Sequence, residues 1–146
     1  MSVTHQVDPR GLRTAAAITS VILAVALVVP SPAREIVLAF QGVVFAIAVA
    51  LGVGASPYAW FFRVAVRPRI GAPTETEDAR PPRFAQLVGL TFTTGALVAL
   101  LAGAVTVGLV LTAFALVAAL LNATVGLCLG CEMYLAFRRL TPARAA

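Results

Sequence analysis

Residues 105–124 decide the fold of this chain, and their sequence is VTVGLVLTAFALVAALLNAT. No charged side chain occurs at any of these positions. Because a helix rises 1.5 Å per residue, a segment of this length extends for about 30 Å, the thickness of the hydrocarbon core of a bilayer. The segment is therefore predicted to be a membrane-spanning helix.

Three further apolar segments come before it. The four predicted spans cover about 14–29, 36–55, 84–102 and 105–124. Pro30 and Pro32 end the first span, because proline lacks the amide hydrogen that a continuing helix needs. The first apolar run is long for the apolar part of a signal peptide, so an uncleaved span is expected there.

Composition agrees with a membrane protein, since the 146 residues are 60% hydrophobic and 12% charged. A soluble domain carries roughly twice that charged fraction. The sequence therefore predicts an all-α integral membrane protein, a four-transmembrane-helix bundle of two helical hairpins. Residues 1–146 are expected to form a single membrane domain.

The arginines predict the orientation. The net charge is +5, with eleven Arg and no Lys, and ten of the eleven lie in the N-terminal segment, the 56–83 loop or the C-terminal segment. Because cytoplasmic loops attract basic residues, both termini and that loop are predicted to be cytoplasmic. Because these arginines lie at the edges of the spans, contact with the lipid bilayer explains the positive charge. No nucleic-acid partner is therefore expected. Arg without Lys, with abundant Ala, Val and Gly, is typical of a GC-rich bacterial genome, which indicates a multi-pass protein of the bacterial plasma membrane.

Aromatic and basic residues mark two predicted membrane boundaries. Tyr58, Trp60 and Arg63 follow the second span, and Arg138 and Arg139 follow the last apolar stretch. Aromatic rings at headgroup depth followed by arginines are favoured at a membrane–water boundary, so these five residues are predicted to be interfacial anchors.

A weak internal repeat supports two parallel hairpins. Pro9-Arg10 precedes the first hairpin and Pro82-Arg83 the second, at an offset of 73 residues. An aromatic stretch ending in arginine follows each hairpin, at 58–63 and 134–138. The repeat predicts two similar hairpins packed side by side.

The last apolar stretch, 105–137, is longer than one crossing needs. It either tilts, breaks near 122–126, or crosses over 105–124 and extends as a helix to about 137, and the extension is favoured. On one continuous helix a polar stripe would share a face: Thr124, Cys128, Cys131, Glu132 and Leu135. Gly126 and Gly130 would lie on another face with the spacing of close helix–helix packing.

Cys128 and Cys131, in the motif Cys-Leu-Gly-Cys, are the only cysteines in the chain. This spacing is typical of thiol–disulfide exchange, in which one thiolate attacks and the second cysteine resolves the mixed disulfide. Cys128, Cys131 and Glu132 are therefore the catalytic candidates, with Glu132 as general base. A cytoplasmic position predicts a resting dithiol. Inside a continuous helix, however, Cys128 would lack the helix N-terminus that activates such thiols.

The alternative interpretation treats the motif as structural. Both cysteines would then pack as small apolar side chains. Glu132 would pair with an arginine at the inner surface: Arg63, Arg138 or Arg139. No metal site and no cofactor are predicted, because the cysteines and Glu132 supply only three ligands and the one histidine is His5, on the N-terminal tail.

Polar residues inside the spans have two interpretations as well. They would line a path for a small molecule, or they would bond between helices and to their own carbonyls, which is the commoner use. These residues are Gln41, Gln86, Thr91, Thr93, Thr94, Asn122 and Thr124.

The chain resembles a family of small bacterial membrane proteins, domain-of-unknown-function family 4395. The resemblance is carried by four motifs: Val7-Asp8-Pro9-Arg10, Ser56-Pro57-Tyr58, Pro82-Arg83-Phe84-Ala85-Gln86, and Leu121-Asn122-Ala123 leading into Gly126-Leu-Cys-Leu-Gly-Cys-Glu-Met-Tyr134. The family has no established activity, but its members are often encoded beside thioredoxin-like or sulfurtransferase proteins. The resemblance thus implies sulfur or thiol chemistry carried by Cys128 and Cys131.

Three hypotheses follow. The first is a thiol-redox or sulfur-relay protein that works with a soluble thioredoxin-like or rhodanese-like partner. The second is a non-enzymatic subunit that assembles a membrane complex. The third is a small transporter for a sulfur compound, acting as a homo-oligomer because four short spans rarely enclose a path alone.

Overall fold

The computed structural model describes residues 6–141, so His5 and Arg144 lie outside the described residues. Four long helices make up most of the molecule: α1 (Pro9–Val28), α2 (Ala33–Leu51), α5 (Arg80–Leu101) and α6 (Val105–Val125). The short elements are β1 (Gln6–Val7), a 3-10 turn (Val53–Ala55), α3 (Pro57–Phe61), a π-helical turn (Phe62–Val66), α4 (Arg67–Ile70), β2 (Glu77–Asp78) and α7 (Leu129–Leu140).

All four long helices are apolar and long enough to cross a membrane. This confirms the prediction of an all-α membrane bundle. The first helix starts earlier than predicted, because the carboxylate of Asp8 accepts the Arg10 amide at 2.9 Å and caps it. The second helix ends earlier than predicted, at Leu51, because Gly52 follows with a φ of 103° that no helix continues.

The helices form a closed ring in which α1 and α5 each pack on both α2 and α6. A small core joins three of them and consists of Leu23, Ala26, Leu38, Ala96 and Leu100. Large apolar side chains point outward from the same helices, among them Val28, Ile36 and Leu101. In a bilayer this outer surface faces lipid tails, which are as apolar as the side chains themselves.

The two hairpins are built alike. Each first helix begins with the pattern Asp-x-Arg-x-x-Arg, at Asp8 to Arg13 and at Asp78 to Arg83. In each case the aspartate accepts hydrogen bonds from the amide and the guanidinium of the arginine two residues later. The strands that precede these helices, β1 and β2, pair antiparallel. Arg83 therefore corresponds to Arg13, and the predicted alignment of Pro82-Arg83 with Pro9-Arg10 is wrong by three residues.

Arg13 and Arg83 each bind the end of a helix in the other hairpin. Arg13 donates from Nη2 to the carbonyls of Ala123 and Thr124, near the end of α6, at 3.3 and 3.0 Å. Arg83 donates to the carbonyls of Val49 and Ala50, near the end of α2, at 2.7 and 3.1 Å. Cations beside a helix C-terminus satisfy its open carbonyls, so each hairpin caps the other.

The predicted helical extension of the last span to about 137 is wrong. Helix α6 ends at Val125, and Gly126 adopts the left-handed conformation with φ 74°. The amides of Gly126 and Leu127 then donate back to the carbonyls of Asn122 and Leu121, which closes the helix end. The chain restarts as a separate helix, α7, that packs mainly on α5.

The 56–83 loop is more ordered than its composition predicts. Its first part is helical from Pro57 to Ile70, through α3, the π-helical turn and α4. The Ser56 hydroxyl caps this segment by accepting the Ala59 amide at 3.1 Å. Its last part contributes β2, which ties the loop to the residues before α1.

Candidate functional site

Cys128 and Cys131 form a disulfide at the start of α7, with Cα atoms 5.2 Å apart. Cys128 has an extended backbone (φ −90°, ψ 101°) and is the N-cap of this helix. Its Sγ accepts the amide hydrogen of Cys131 at a distance of 3.2 Å. The prediction that Cys128 lies inside a continuous helix is therefore wrong, and the structure holds the oxidised pair where a dithiol was expected.

Helix α7 is fixed to α5 by its small and aromatic residues. A Cβ placed on Gly130 would lie 2.5 Å from Cα of Ala85, so only glycine allows this approach. The ring of Phe84 packs on Tyr134 and Phe137, with centroids 5.8 and 6.3 Å apart. These contacts hold the disulfide beside the first turns of α5.

Gly126 and Gly130 have different structural roles. Gly130 is buried at the contact between α7 and α5, whereas nothing lies within 4 Å of a Cβ built on Gly126. The prediction that both share one packing face is wrong, because the left-handed turn at Gly126 ends the helix between them.

Glu132 lies in the first turn of α7, next to Cys131, and its side chain is exposed. Within residues 6–141 the ion pairs are Arg10 with Asp8 and Arg80 with Asp78. The alternative pairing of Glu132 with Arg63, Arg138 or Arg139 is therefore wrong for the structure. The carboxylate is available near the disulfide.

A cavity of about 910 Å³ lies inside this end of the bundle, bounded by residues 6–141. Its walls come from the first halves of α1 and α5, the last halves of α2 and α6, and from α3 and α7. They are mostly apolar and include the aromatic side chains Phe45, Tyr58, Phe62, Phe92 and Phe114. Cys128 and Cys131 both line the cavity, so the disulfide is part of its wall.

Two of the polar residues singled out in the spans reach this cavity, namely Gln86 and Asn122. No hydrogen bond among the described residues engages either side-chain amide. The threonine hydroxyls behave differently, because those of Thr91, Thr93 and Thr124 donate to carbonyls four residues earlier in their own helices. Among the seven span residues singled out, Gln86 and Asn122 are thus the two that line this cavity.

Charged residues also line the cavity. Hydrogen bonds from Arg10 hold the pKa of Asp8 below its usual range, and those from Arg80 do the same for the pKa of Asp78. Arg13, Arg63, Arg67, Glu77 and Glu132 also line the cavity. Asp8 and Asp78 therefore stay ionised at neutral pH, and the lining carries charges of both signs.

The predicted anchors divide into buried and exposed residues. Tyr58 is only 7% exposed, and its hydroxyl donates to Oε1 of Gln41 at 2.7 Å, so its assignment as an interfacial anchor is wrong. Trp60 is 59% exposed, and Arg138 and Arg139 lie exposed at the end of α7. Arg63 donates from Nη1 to the Gly54 carbonyl at 2.6 Å. For these four residues, anchoring stays a prediction.

Sequence reasoning missed the cavity and the break that positions the disulfide. The aromatic residues of the wall are scattered over three helices, at Phe45, Phe92 and Phe114, and no spacing along the chain connects them. The break had a usable signal, since Gly126 followed by a capping residue at Cys128 is a helix stop and a helix start.

Fold and site together define a multi-pass membrane protein of four spanning helices, with a Cys-x-x-Cys disulfide in the wall of an internal cavity. The chain belongs to the family described as Domain of unknown function (DUF4395), which matches residues 7–139. No curated protein and no solved structure matches the chain.

Proposed function

We propose that this protein is a thiol–disulfide exchange protein of the bacterial plasma membrane, with Cys128 and Cys131 as its redox pair. The observation that carries the proposal is the position of Cys128 as N-cap of α7, with its Sγ accepting a backbone amide at 3.2 Å. A helix N-terminus stabilises a thiolate, which is the nucleophile in disulfide exchange. The same position leaves Cys131 one turn away, close enough to form the disulfide with Cys128.

The exchange balances as a two-electron transfer. A thiolate of a reduced partner attacks the Sγ of Cys128, forming a mixed disulfide and releasing the thiolate of Cys131. The partner's second thiol then attacks the sulfur of the partner's first cysteine in the mixed disulfide, so the partner leaves as a disulfide. Cys128 and Cys131 keep the two electrons and, after protonation, two hydrogens. Glu132, exposed next to Cys131, passes protons between these thiols and water.

The charge at this end of the bundle favours a cytoplasmic partner. Most arginines lie at the same end as the disulfide, and positive charge favours the cytoplasmic side. A soluble thioredoxin-like protein with an acidic rim would dock there. A rhodanese-like partner would instead transfer a sulfane sulfur to one thiolate of the reduced pair and leave with its own thiolate. The neighbouring cysteine then attacks the inner sulfur of that persulfide, which forms the disulfide and releases hydrosulfide.

Thiol trapping in intact cells tests the proposal. Cells are quenched with acid, free thiols are alkylated with a mass-tagged maleimide, and gel shifts are compared for wild type, Cys128→Ser and Cys131→Ser. In Cys131→Ser the thiolate of Cys128 attacks the disulfide form of the partner, the reverse of the exchange above, and no neighbouring cysteine displaces the partner, so a mixed disulfide should accumulate and be identified by mass spectrometry. Cys128→Ser should trap less of it.

A matched control tests whether trapping depends on the N-cap position of the thiol or only on its exposure. Ala136 is exposed on the same helix, so Ala136→Cys in a Cys128→Ser/Cys131→Ser background places one thiol on α7 away from the N-cap. This variant should not trap the partner. If both native thiols stay reduced under oxidant and thiosulfate challenge, and the double serine variant behaves like wild type, the pair is structural and the assembly-subunit hypothesis replaces the redox one.

A further inference from the structure

We infer that the cavity is a binding site for a membrane quinone, which takes the two electrons of the Cys128–Cys131 dithiol. This inference rests on the proposed function and names its second substrate. It starts from the disulfide in the cavity wall, because an occupant of the cavity contacts the redox pair directly. No occupant chemistry is as well matched to that contact as a two-electron carrier.

The walls favour a flat apolar ring. The cavity volume of about 910 Å³ falls in the range of small-molecule sites, which are mostly apolar with few polar groups. Phe92 and Phe114 pack edge to face in the wall, with centroids 6.4 Å apart. Phe45 also lines the cavity and lies against Gly89, where a Cβ would be 2.8 Å from the ring. Aromatic faces and edges of this kind stack on a conjugated ring.

The free polar groups match the oxygens of a quinone. Gln86 on α5 and Asn122 on α6 line the cavity, and no hydrogen bond of residues 6–141 engages their side-chain amides. Each carries N–H donors, and a quinone presents two carbonyl oxygens on opposite sides of its ring. Two donors from two helices hold such a ring in place, whereas a lipid acyl chain offers them nothing to bind.

The bilayer supplies the substrate. The outer faces of all four spanning helices carry exposed apolar side chains, so a lipid-soluble molecule is present at high local concentration around the bundle. The cavity is partly open, so a ring from outside the bundle can enter it. A water-soluble oxidant has no comparable reason to occupy apolar aromatic walls.

The step balances without any further reactant. One cysteine thiolate attacks the quinone ring and forms a C–S bond, and the second thiolate then attacks that sulfur, so the S–S bond forms as the C–S bond breaks. The ring keeps the two electrons, takes up the two protons that the thiols released on ionising, and leaves as quinol. Together with the exchange above, the reduced soluble partner is oxidised and the quinone is reduced, and the protein returns to its disulfide form.

A single-turnover experiment tests the site on the full-length protein in lipid nanodiscs. The disulfide is reduced with dithiothreitol, the reductant is removed, and decylubiquinone or a short-chain menaquinone is added without oxygen. Quinol is followed by ultraviolet absorbance and remaining thiols by maleimide mass tags. We expect one quinol per protein with loss of both thiols, and none from Cys128→Ser/Cys131→Ser.

Three variants place the reaction in the cavity. Gln86→Leu and Asn122→Leu should each raise the half-saturating quinone concentration about fivefold to tenfold, the value of one lost hydrogen bond. Ala119→Phe fills the cavity from α6 and should abolish most quinol formation. Thr94→Val, exposed on α5 outside this cavity, is the matched control and should behave as wild type. Reduction of the disulfide by dithiothreitol and monodisperse elution check that each protein is intact.

The outcomes separate the two proposals. If a soluble dithiol reduces the pair but neither quinone consumes the thiols, the quinone site is overturned and the exchange function stands. If the cysteine pair reacts with neither a soluble dithiol nor a quinone, both the exchange function and the quinone site are overturned. If quinone oxidises wild type and all three cavity variants at equal rates, the placement in the cavity is overturned.

Discussion

Among single residues, the pair of Tyr58 and Gln41 ties α3 to α2, because the Tyr58 hydroxyl donates a hydrogen bond to Oε1 of Gln41. Tyr58 follows a span and precedes Trp60 and Arg63, which is the pattern of an interfacial anchor. In the structure only the last two are exposed, and Tyr58 turns inward to bond Gln41 of α2. The pattern is local, whereas the partner lies in another helix, so the sequence alone did not indicate it.

The Tyr58–Gln41 bond makes a testable contribution to stability. Gln41 is fully buried, and its Nε2 has no partner among the described residues, so Oε1 depends on Tyr58. Tyr58→Phe removes the only donor in this pair and should lower the free energy of unfolding by about 1–2 kcal/mol. Chemical denaturation in detergent micelles measures this. Trp60→Phe, at an exposed position, is the control and should change stability by much less.

Burial of Tyr58 also makes stability depend on alkaline pH. Removal from water raises the pKa of Tyr58 from 10.0 to about 12. A raised pKa favours the neutral form in the folded state, so its contribution is complete below pH 10 and is lost as the pH rises to about 12. Between pH 10 and about 12, the free energy of unfolding should fall more steeply with pH for wild type than for Tyr58→Phe. Parallel pH profiles for the two proteins would contradict the assignment.

At the scale of elements, the decisive feature is the break between α6 and α7. Length alone showed that 105–137 exceeds one crossing, and a break near 122–126 was among the alternatives. Helix extension was favoured because the stretch stays apolar throughout. The structure breaks it at Gly126 because a left-handed glycine and a following N-cap together satisfy both helix ends. Apolarity predicts burial in a membrane but does not distinguish one helix from two.

The break at Gly126 predicts a position-specific cost. Gly126→Ala has open space around the new methyl group, so its effect comes only from a backbone with φ 74°. A left-handed conformation costs a non-glycine residue roughly 1–2 kcal/mol. Gly54 is the matched control, because it also has nothing within 4 Å but no positive φ. Gly54→Ala should be neutral or slightly stabilising, and equal losses in both variants would contradict the role of Gly126.

At the scale of the whole molecule, the two hairpins form one pseudo-symmetric ring. The sequence predicted the number of spans, the helical class and a repeat, because length, apolarity and spacing are properties of the chain itself. The sequence prediction aligned the two repeats on the Pro-Arg pairs, which is the wrong register. The structurally equivalent residues are those of the motif Asp-x-Arg-x-x-Arg. The cavity depends on how α1, α2, α5 and α6 come together, which no local pattern encodes.

The symmetry predicts paired effects of two distant mutations. Arg13→Gln and Arg83→Gln each remove the cap from the last carbonyls of a helix in the opposite hairpin. Each should lower stability to a similar extent, on the order of 1 kcal/mol or less, and the double variant should show the sum. Thermal unfolding in nanodiscs measures all three. Arg139→Gln, at an exposed residue outside these caps, is the control, and a cost confined to one of the two arginines would contradict the equivalence.

The same ring fixes which groups share a side of the membrane. The starts of α1 and α5, the loop with β2, and the disulfide lie at one end, whereas the connection containing Ser31 and the first turn of α2 with Arg34 lie at the other. Because arginines concentrate at the first end, that end should face the cytoplasm. In a Cys128→Ser/Cys131→Ser background, a membrane-impermeant maleimide added to intact spheroplasts should label Ser31→Cys and leave Ala72→Cys unlabelled until the cells are lysed. The reverse pattern would place the redox pair on the outer side, where the partner would be an extracytoplasmic thiol protein and the arginine distribution would need another cause.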